Sequence, residues 1–291
     1  MTDLGDAVDL GVELLDAGEG RRLERFGPKV LDRPAPTALA WLGDRSAWSH
    51  ADLRFDPDEG WSDGGLVGSA VTPAPWPVDI AGLTMEVRPT ASGGLGLYPE
   101  HVASLPWLEA RIGERLGADA SDQRPNVLNL FAHTGLVTLA AARAGAEVAH
   151  VDGARSAIAW ARRNAELSGL ADRPVRWLVD DASAFVAREA RRGHRYDGIV
   201  LDPPSFGHAK GRRWRLEDEL PGLLTACARI LADDGFALLT AHTTGLDGAV
   251  LADLARGAFS PGAKVVADRL ELTARSDARL ELGWAVRIGS G

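Results

Sequence analysis

Cysteine is nearly absent from this 291-residue chain, and Cys227 is the only one. That excludes an internal disulfide framework and a metal site built from several thiolates, and no metal is expected. Long apolar runs are missing as well. No stretch approaches the roughly 18–20 apolar residues of a membrane span. The opening Met1-Thr2-Asp3-Leu4-Gly5-Asp6 is acidic and lacks the positive segment that begins a secretory signal. These absences set the expectation of a cytoplasmic protein. Positive charge is in deficit, with a formal net charge of −9. Such a balance argues against a broad nucleic-acid surface and leaves room for a local basic patch. No internal repeat or low-complexity tract is evident.

What is present is ordinary for a globular protein: 45% apolar and 25% charged residues. The length suits one large domain plus a small one. Residues 1–97 read as a small β-rich domain. Val12–Leu15, Val30-Leu31, Ala51–Phe55 and Leu83–Val87 are short strand-like pieces, punctuated by proline and glycine. Trp41, Trp48, Trp61 and Trp76 lie here and are expected to fill its core.

From residue 98 to 291 the rhythm becomes strand, then helix. His101–Leu116 has a helical apolar stripe, Leu105, Leu108, Ile112 and Leu116. Apolar strands are expected at Asn126–Phe131, Glu147–Val151, Val175–Val179, Asp197–Asp202 and Gly235–Thr240. Helices are expected at Leu136–Ala144, Arg155–Leu167 and Leu220–Leu231. Continuous apolar strands alternating with helices imply an α/β fold, a mostly parallel, doubly wound sheet covered on both faces. Val265–Ile288 differs, because Arg275-Ser276-Asp277-Ala278 interrupts it as the turn of a hairpin. An antiparallel hairpin is therefore expected at the end of the sheet.

Open parallel sheets bind ligands outside the carboxyl ends of their strands. The first strand ends in Asn129-Leu130-Phe131-Ala132-His133-Thr134-Gly135, where Gly135 permits a tight turn into a helix. Asp152 ends the second strand, 23 residues beyond Asn129, near the spacing of an acid that grips a ribose diol. Asp180-Asp181 ends the third strand and Asp202 the fourth. The glycine spacing G-x-G-x-x-G of a dinucleotide site is missing, so a diphosphate is disfavoured. An Asp after a strand also caps the next helix, and each of these acids has that alternative. Taken in register, they suit a ligand with a ribose, an adenine amine and a cationic centre. S-adenosylmethionine has all three.

Asp202 is followed by Pro203-Pro204-Ser205-Phe206. Two prolines can continue neither a helix nor a central strand. The corner sets a carboxylate and a fixed Pro203 carbonyl beside an aromatic ring, which suits a planar group carrying N–H donors. After it come Lys210, Arg212, Arg213, Trp214 and Arg215. Cations interleaved with an aromatic suit phosphate contact and base stacking. A solvated loop neutralising Glu217, Asp218 and Glu219 is the alternative.

Residues 126–245 resemble the class I S-adenosylmethionine-dependent methyltransferases with a Rossmann-like fold. They are similar to the bacterial 23S rRNA large-subunit family with cytosine-C5 and guanine-N7 members. The Asn129–Gly135 loop resembles that family's N-L-F-[SA]-Y-T-G, and Leu97-Tyr98-Pro99-Glu100 resembles its entry segment. The resemblance implies that Phe131, His133 and Gly135 line the methionine end, with Asn129 and Thr134 among the cofactor-binding residues. It further implies that Asp152 meets the ribose, Asp181 the adenine, and Asp202 the methyl group and substrate. Tyr98, Ser205, Lys210, Arg212, Arg213, Trp214 and His242 are the expected substrate contacts, with Asp202, Pro203 and Phe206 at the chemistry.

Cytosine-C5 methylation needs a thiolate that adds to C6. Family members with that activity carry a cysteine just after the fifth strand, where this chain reads Thr240-Ala241-His242-Thr243. Cys227 lies on an apolar helix stripe, as a core residue does. That leaves methylation of a ring nitrogen, an exocyclic amine or an oxygen, and the leading expectation is a nucleobase nitrogen in ribosomal RNA. A small-molecule or protein methyltransferase, and a non-catalytic cofactor-binding scaffold, are the alternatives.

Overall fold

The computed structural model describes residues 11–41, 45–64, 69–118, 123–209, 212–243 and 245–290. At 207–209, 212, 213 and 290 it describes backbone only. Two compact units emerge. One comprises residues up to Val102 plus Glu271–Leu282, and the other Ala103–Leu270 plus Gly283–Gly291.

In the first unit, β1 (Val12–Gly18), β2 (Arg21–Phe26), β3 (Lys29–Pro34), β4 (Leu53–Asp56) and β5 (Gly60–Asp63) form one sheet in that order. α1 (Arg45–Trp48) precedes β4, and β6 (Trp76–Ile80) pairs with β7 (Leu83–Val87) as a separate ribbon. Only Val30-Leu31 stood out of β3 in the sequence, and β2 not at all. The reason is charge. β2 reads Arg-Arg-Leu-Glu-Arg-Phe, yet Leu23 and Phe26 are fully buried and Glu24 is buried against Arg33. Trp48 and Trp61 are core residues, and Trp76 is half-buried with Nε1 donating to the Phe26 carbonyl. Trp41 departs from expectation: it is exposed.

The second unit begins in α2 (Leu105–Ala118), entered through a 3-10 turn at Pro99–Ser104. The helix expected from His101 therefore starts one turn later. Then follow β8 (Asn126–Leu130), α3 (Leu136–Arg143), β9 (Glu147–Asp152), α4 (Arg155–Leu167), β10 (Val175–Val179), α5 (Ala182–Arg192) and β11 (Tyr196–Leu201). β12 (Phe206–Ala209), β13 (Arg212–Arg215), α6 (Leu216–Ile230), β14 (Leu231–Ala241), α7 (Gly248–Ala258), β15 (Ala263–Thr273) and β16 (Arg279–Ser290) complete the chain. α6 starts four residues before the expected Leu220, so Pro221 lies inside its second turn.

The main sheet runs β10-β9-β8-β11-β14-β16-β15. β10, β9, β8, β11 and β14 are parallel, and β16 is antiparallel to β14. The doubly wound sheet with a terminal hairpin is as expected. Its order reverses between β8 and β11, and such a switch point opens a crevice at the strands' carboxyl ends. Leu130, Leu201 and Leu239 are fully buried neighbours across that point. Burial of these apolar runs on both faces fixes where each strand stops, and so where the polar residues after them begin. Cys227 is fully buried in α6, and burial pushes its thiol up to about 12. It is a core residue, as its stripe indicated. Among the described residues no helix is long and apolar enough to cross a membrane.

Candidate active site

Strand register assembles the site. Leu130 pairs with Val151 on one side and Leu201 on the other, and Val179 pairs with Asp152. Phe131, Asp152, Asp180 and Asp202 therefore leave the sheet side by side.

The loop after β8 is bent hard. Phe131, His133 and Gly135 all have positive φ, at 55°, 49° and 92°. That conformation costs a residue with a side chain about 1 kcal/mol or more, so something must hold it. Asp152 does: its Oδ2 accepts from the His133 amide at 2.9 Å and its Oδ1 from Ala154 at 2.8 Å. Ala132 N–H donates to Val151 O. Gly135 caps α3, and a Cβ there would sit 3.1 Å from Ala161 Cβ. Asp152 is thus a loop tie and not the cap of α4, whose cap residue is Ala154.

A buried polar chain lies underneath. Asn129 Nδ2 donates to Thr138 Oγ1 at 2.8 Å, and that hydroxyl lies 2.8 Å from His150 Nδ1. All three residues are buried. Burial holds the His150 ring down to a pKa of about 3, so it is neutral and Nδ1 accepts the Thr138 hydroxyl proton. Asn129, expected to face the cofactor, instead supports the loop from below. Thr134 is likewise buried, and its carbonyl accepts from Asn164 Nδ2. Sequence reading missed Thr138 and His150 because neither lies at a strand end.

Asp181 caps α5, its Oδ1 accepting from Ala184 N–H at 2.8 Å. Asp180 pairs with Arg188. Val179, just before them, is 44% exposed, an apolar surface at the strand end that the sequence did not mark.

At the β11 corner, Asp202 Oδ1 accepts from Thr240 Oγ1 at 2.6 Å. His242 Nε2 lies 3.2 Å from the same oxygen, off the angle of a hydrogen bond. Ser205 Oγ accepts from Thr243 Oγ1 at 2.7 Å. Thr240 at the end of β14 and Thr243 just after it thus brace the corner from the next strand. Phe206 is exposed at 70% and Pro203 is buried.

Trp214 was expected among the substrate contacts. It is buried, its Nε1 donates to the Pro204 carbonyl at 2.7 Å, and its ring packs 5.6 Å from Phe131. It therefore locks the corner to the loop instead of offering a stacking face. Of the 207–215 stretch, expected as a loop, residues 207–209 and 212–215 lie in the β12–β13 ribbon, with Phe206 opposite Arg215. Arg215 is half-exposed, 3.8 Å from Glu217 and 4.0 Å from Asp218, surface pairs of little strength. Arg212 and Arg213 lie on β13. Lys210 lies outside the described residues. Tyr98 belongs to the first unit and is 46% exposed.

A switch-point crevice with a positive-φ glycine turn and acids on successive strand ends defines a Rossmann-like protein that binds a nucleoside-containing cofactor. No family model matches the chain. The S-adenosylmethionine-dependent methyltransferase from Agrobacterium tumefaciens is 33% identical, with a TM-score of 0.86 over 96% of this chain and 90% of that one. SMU.776, named a methyltransferase and solved with SAH, has a TM-score of 0.74 at 17% identity, over 97% of this chain and 76% of that one. The ribosomal RNA large subunit methyltransferase K of Neisseria meningitidis is 32% identical over 42% of this chain. Methyltransferase K/L of Magnetococcus marinus is 31% identical over 53%. The chain spans 35% and 20% of those two relatives' lengths. By its likeness to the Agrobacterium protein, the chain belongs to the S-adenosylmethionine-dependent methyltransferases.

Proposed function

We propose that the protein methylates a nucleobase nitrogen in ribosomal RNA, with S-adenosylmethionine as donor. The observation that carries this is the Asp202–Phe206 corner at the switch point, braced by Thr240 and Thr243, with no thiol on the strand end beside it. The large-subunit rRNA methyltransferases among its relatives support RNA as the substrate. Ribosomal RNA as partner sets the cytoplasm as its place of work.

The residues fit the cofactor. Gly135, at φ 92° and with no Cβ to press on Ala161, lets the loop turn tightly into α3. Each Asp152 oxygen accepts one amide and retains a lone pair for a ribose hydroxyl. Val179 offers an apolar wall to adenine, and Asp181 an acceptor for its amine. Phe131, His133 and Gly135 border the methionine end. When bound, S-adenosylmethionine supplies a methyl group on a sulfonium, an electrophile strong enough for alignment to carry much of the rate.

The chain's own work is then to hold the base. Asp202 accepts from an N–H beside the acceptor nitrogen, and the Pro203 carbonyl takes a second. Phe206 stacks on the ring, and Ser205 adds a polar contact. Where the acceptor nitrogen carries a proton, the Asp202–His242 pair receives it as the new bond forms. Lys210, Arg212 and Arg213 meet phosphates. The test is mass spectrometry of rRNA nucleosides from cells with and without the gene. Loss of one N-methylated base is expected. An unchanged set would point to a small-molecule or protein acceptor.

A further inference from the structure

The first unit contains a cavity of about 420 Å³ lined by residues of that unit alone, among them Arg22, Arg33, Phe55, Tyr98 and Glu100. That volume falls in the range of small-ligand sites. From its geometry we infer that this cavity binds a nucleotide through its phosphate and base.

Three features carry the inference. The first is a pair of guanidiniums lining the cavity. Arg33 is buried, donating to Glu24 Oε2 from Nε at 3.0 Å and Nη2 at 2.5 Å, and to the Gly93 carbonyl from Nη1 at 2.9 Å. Arg22 shares that carboxylate, with Nε 3.3 Å from Glu24 Oε2 but outside hydrogen-bond geometry. One carboxylate therefore serves two guanidiniums. Burial holds Arg33 below its ordinary range, and the neighbouring Arg22 lowers it further. Among the described residues Arg22 makes no side-chain hydrogen bond, so its other nitrogens can serve an anion in the cavity. Glu100 brings the formal charge of these four residues to zero, so directed donors and not net charge hold the anion, which favours a singly bridging phosphate over a polyphosphate.

The second feature is a platform. Tyr98 is 46% exposed at the cavity, and its ring is held edge-on to His101 with centroids 6.1 Å apart. An exposed, oriented ring is what a base stacks on.

The third feature is a wall that is already built. Gly93 has φ +78°, and a Cβ there would lie 2.4 Å from the Phe55 ring, so backbone sits flat on that ring. Thr90 N–H donates to Gly94 O, and Trp61 Nε1 donates to Thr90 O. Arg33 holds the same turn from the other side. A wall fixed in this way loses little entropy when a ligand enters.

In the proposed function this pocket takes a nucleotide of the same RNA, a step that rests on the RNA reading. The pocket itself is tested independently. The full-length protein is titrated with guanosine and cytidine 5′-monophosphates, and with a single-stranded RNA 12-mer, in parent, Arg22→Gln and Tyr98→Ala forms. Calorimetry with S-adenosylhomocysteine and a thermal melt report whether each variant is folded. Tyr98→Ala removes an exposed ring and secures the test should Arg22→Gln misfold. Both variants should bind mononucleotide and 12-mer about 10-fold more weakly. Arg22→Gln should also flatten the salt dependence by about one phosphate. S-adenosylhomocysteine binding should be unchanged. Parent-like affinities in folded Tyr98→Ala, or no binding of any nucleotide by the parent, overturn the pocket. Nucleotide binding lost in the variants, alongside an unchanged set of rRNA nucleosides in cells lacking the gene, upholds the pocket and removes the RNA reading.

Discussion

Two turns leave adjacent strands at the switch point, and they are built in opposite ways. The Phe131–Gly135 turn is held through its backbone: two positive-φ side-chain residues, a positive-φ glycine, and the His133 amide tied to Asp152, with a buried Asn129–Thr138–His150 chain beneath. The Asp202–Phe206 corner is held through side chains. Thr240 and Thr243 hydroxyls brace it, Trp214 grips the Pro204 carbonyl, and Phe206 stands free at its tip. A turn made of backbone fits a ligand that never changes, as a cofactor does. A corner made of side chains can diverge in its acceptor while the sheet stays the same. Damage to the first should appear in cofactor affinity and stability, and damage to the second in turnover.

The sharpest test is Asp202→Ala. Removing a charge aimed at the reacting group commonly costs about 10²–10³ in turnover, and a loss near 10³ is expected in a methyl-transfer assay, with S-adenosylmethionine affinity by calorimetry kept. If affinity fell instead, the division between the two turns would collapse. Next comes pH. His150 has a pKa of about 3 in the folded chain against about 6.5 unfolded. Below pH 6.5 the unfolded state therefore binds more protons, and stability falls by about 1.4 kcal/mol per pH unit toward pH 3. Melts at pH 7 and pH 4.5 should differ by more in the parent than in His150→Gln. An equal drop would mean the buried chain does not govern acid stability. Asp152→Ala removes the acceptor of two amides, and charge-assisted bonds are worth about 1.5–3 kcal/mol each. Affinity for S-adenosylhomocysteine should fall about 10- to 100-fold, with turnover at saturating cofactor much less affected.

The sequence made the central sheet legible because its strands are apolar on both faces and end abruptly at acids. Asp152, Asp181 and Asp202 could be picked out for that reason. β2 could not, since its buried Glu24 is matched by Arg33 on the next strand, a pairing that shows only once the hairpin forms. Trp214 misled because a tryptophan among arginines looks like a stacking surface, and only the fold shows its Nε1 turned toward Pro204. Asn129 sits in a loop that resembles a cofactor motif, yet alternation along β8 turns its side chain to Thr138. Thr240 and Thr243 gave no signal, because hydroxyls at and just after a strand end are common and their partners lie 38 residues away.

Phe206 offers the mildest and cleanest separation of the two turns. With 70% of its surface exposed, its ring contributes little to the core, so Phe206→Ala should leave the melting temperature within about a degree of the parent. Stacking of a base on an aromatic ring is worth about 1–3 kcal/mol, which sets a rise of about 10-fold in KM for RNA. The KM for S-adenosylmethionine should not move, because no cofactor contact is removed. A Phe206→Tyr variant keeps the ring and should restore the parent's KM. If Phe206→Ala raised the cofactor's KM instead, Phe206 would belong to the cofactor side, and the corner would serve both ligands.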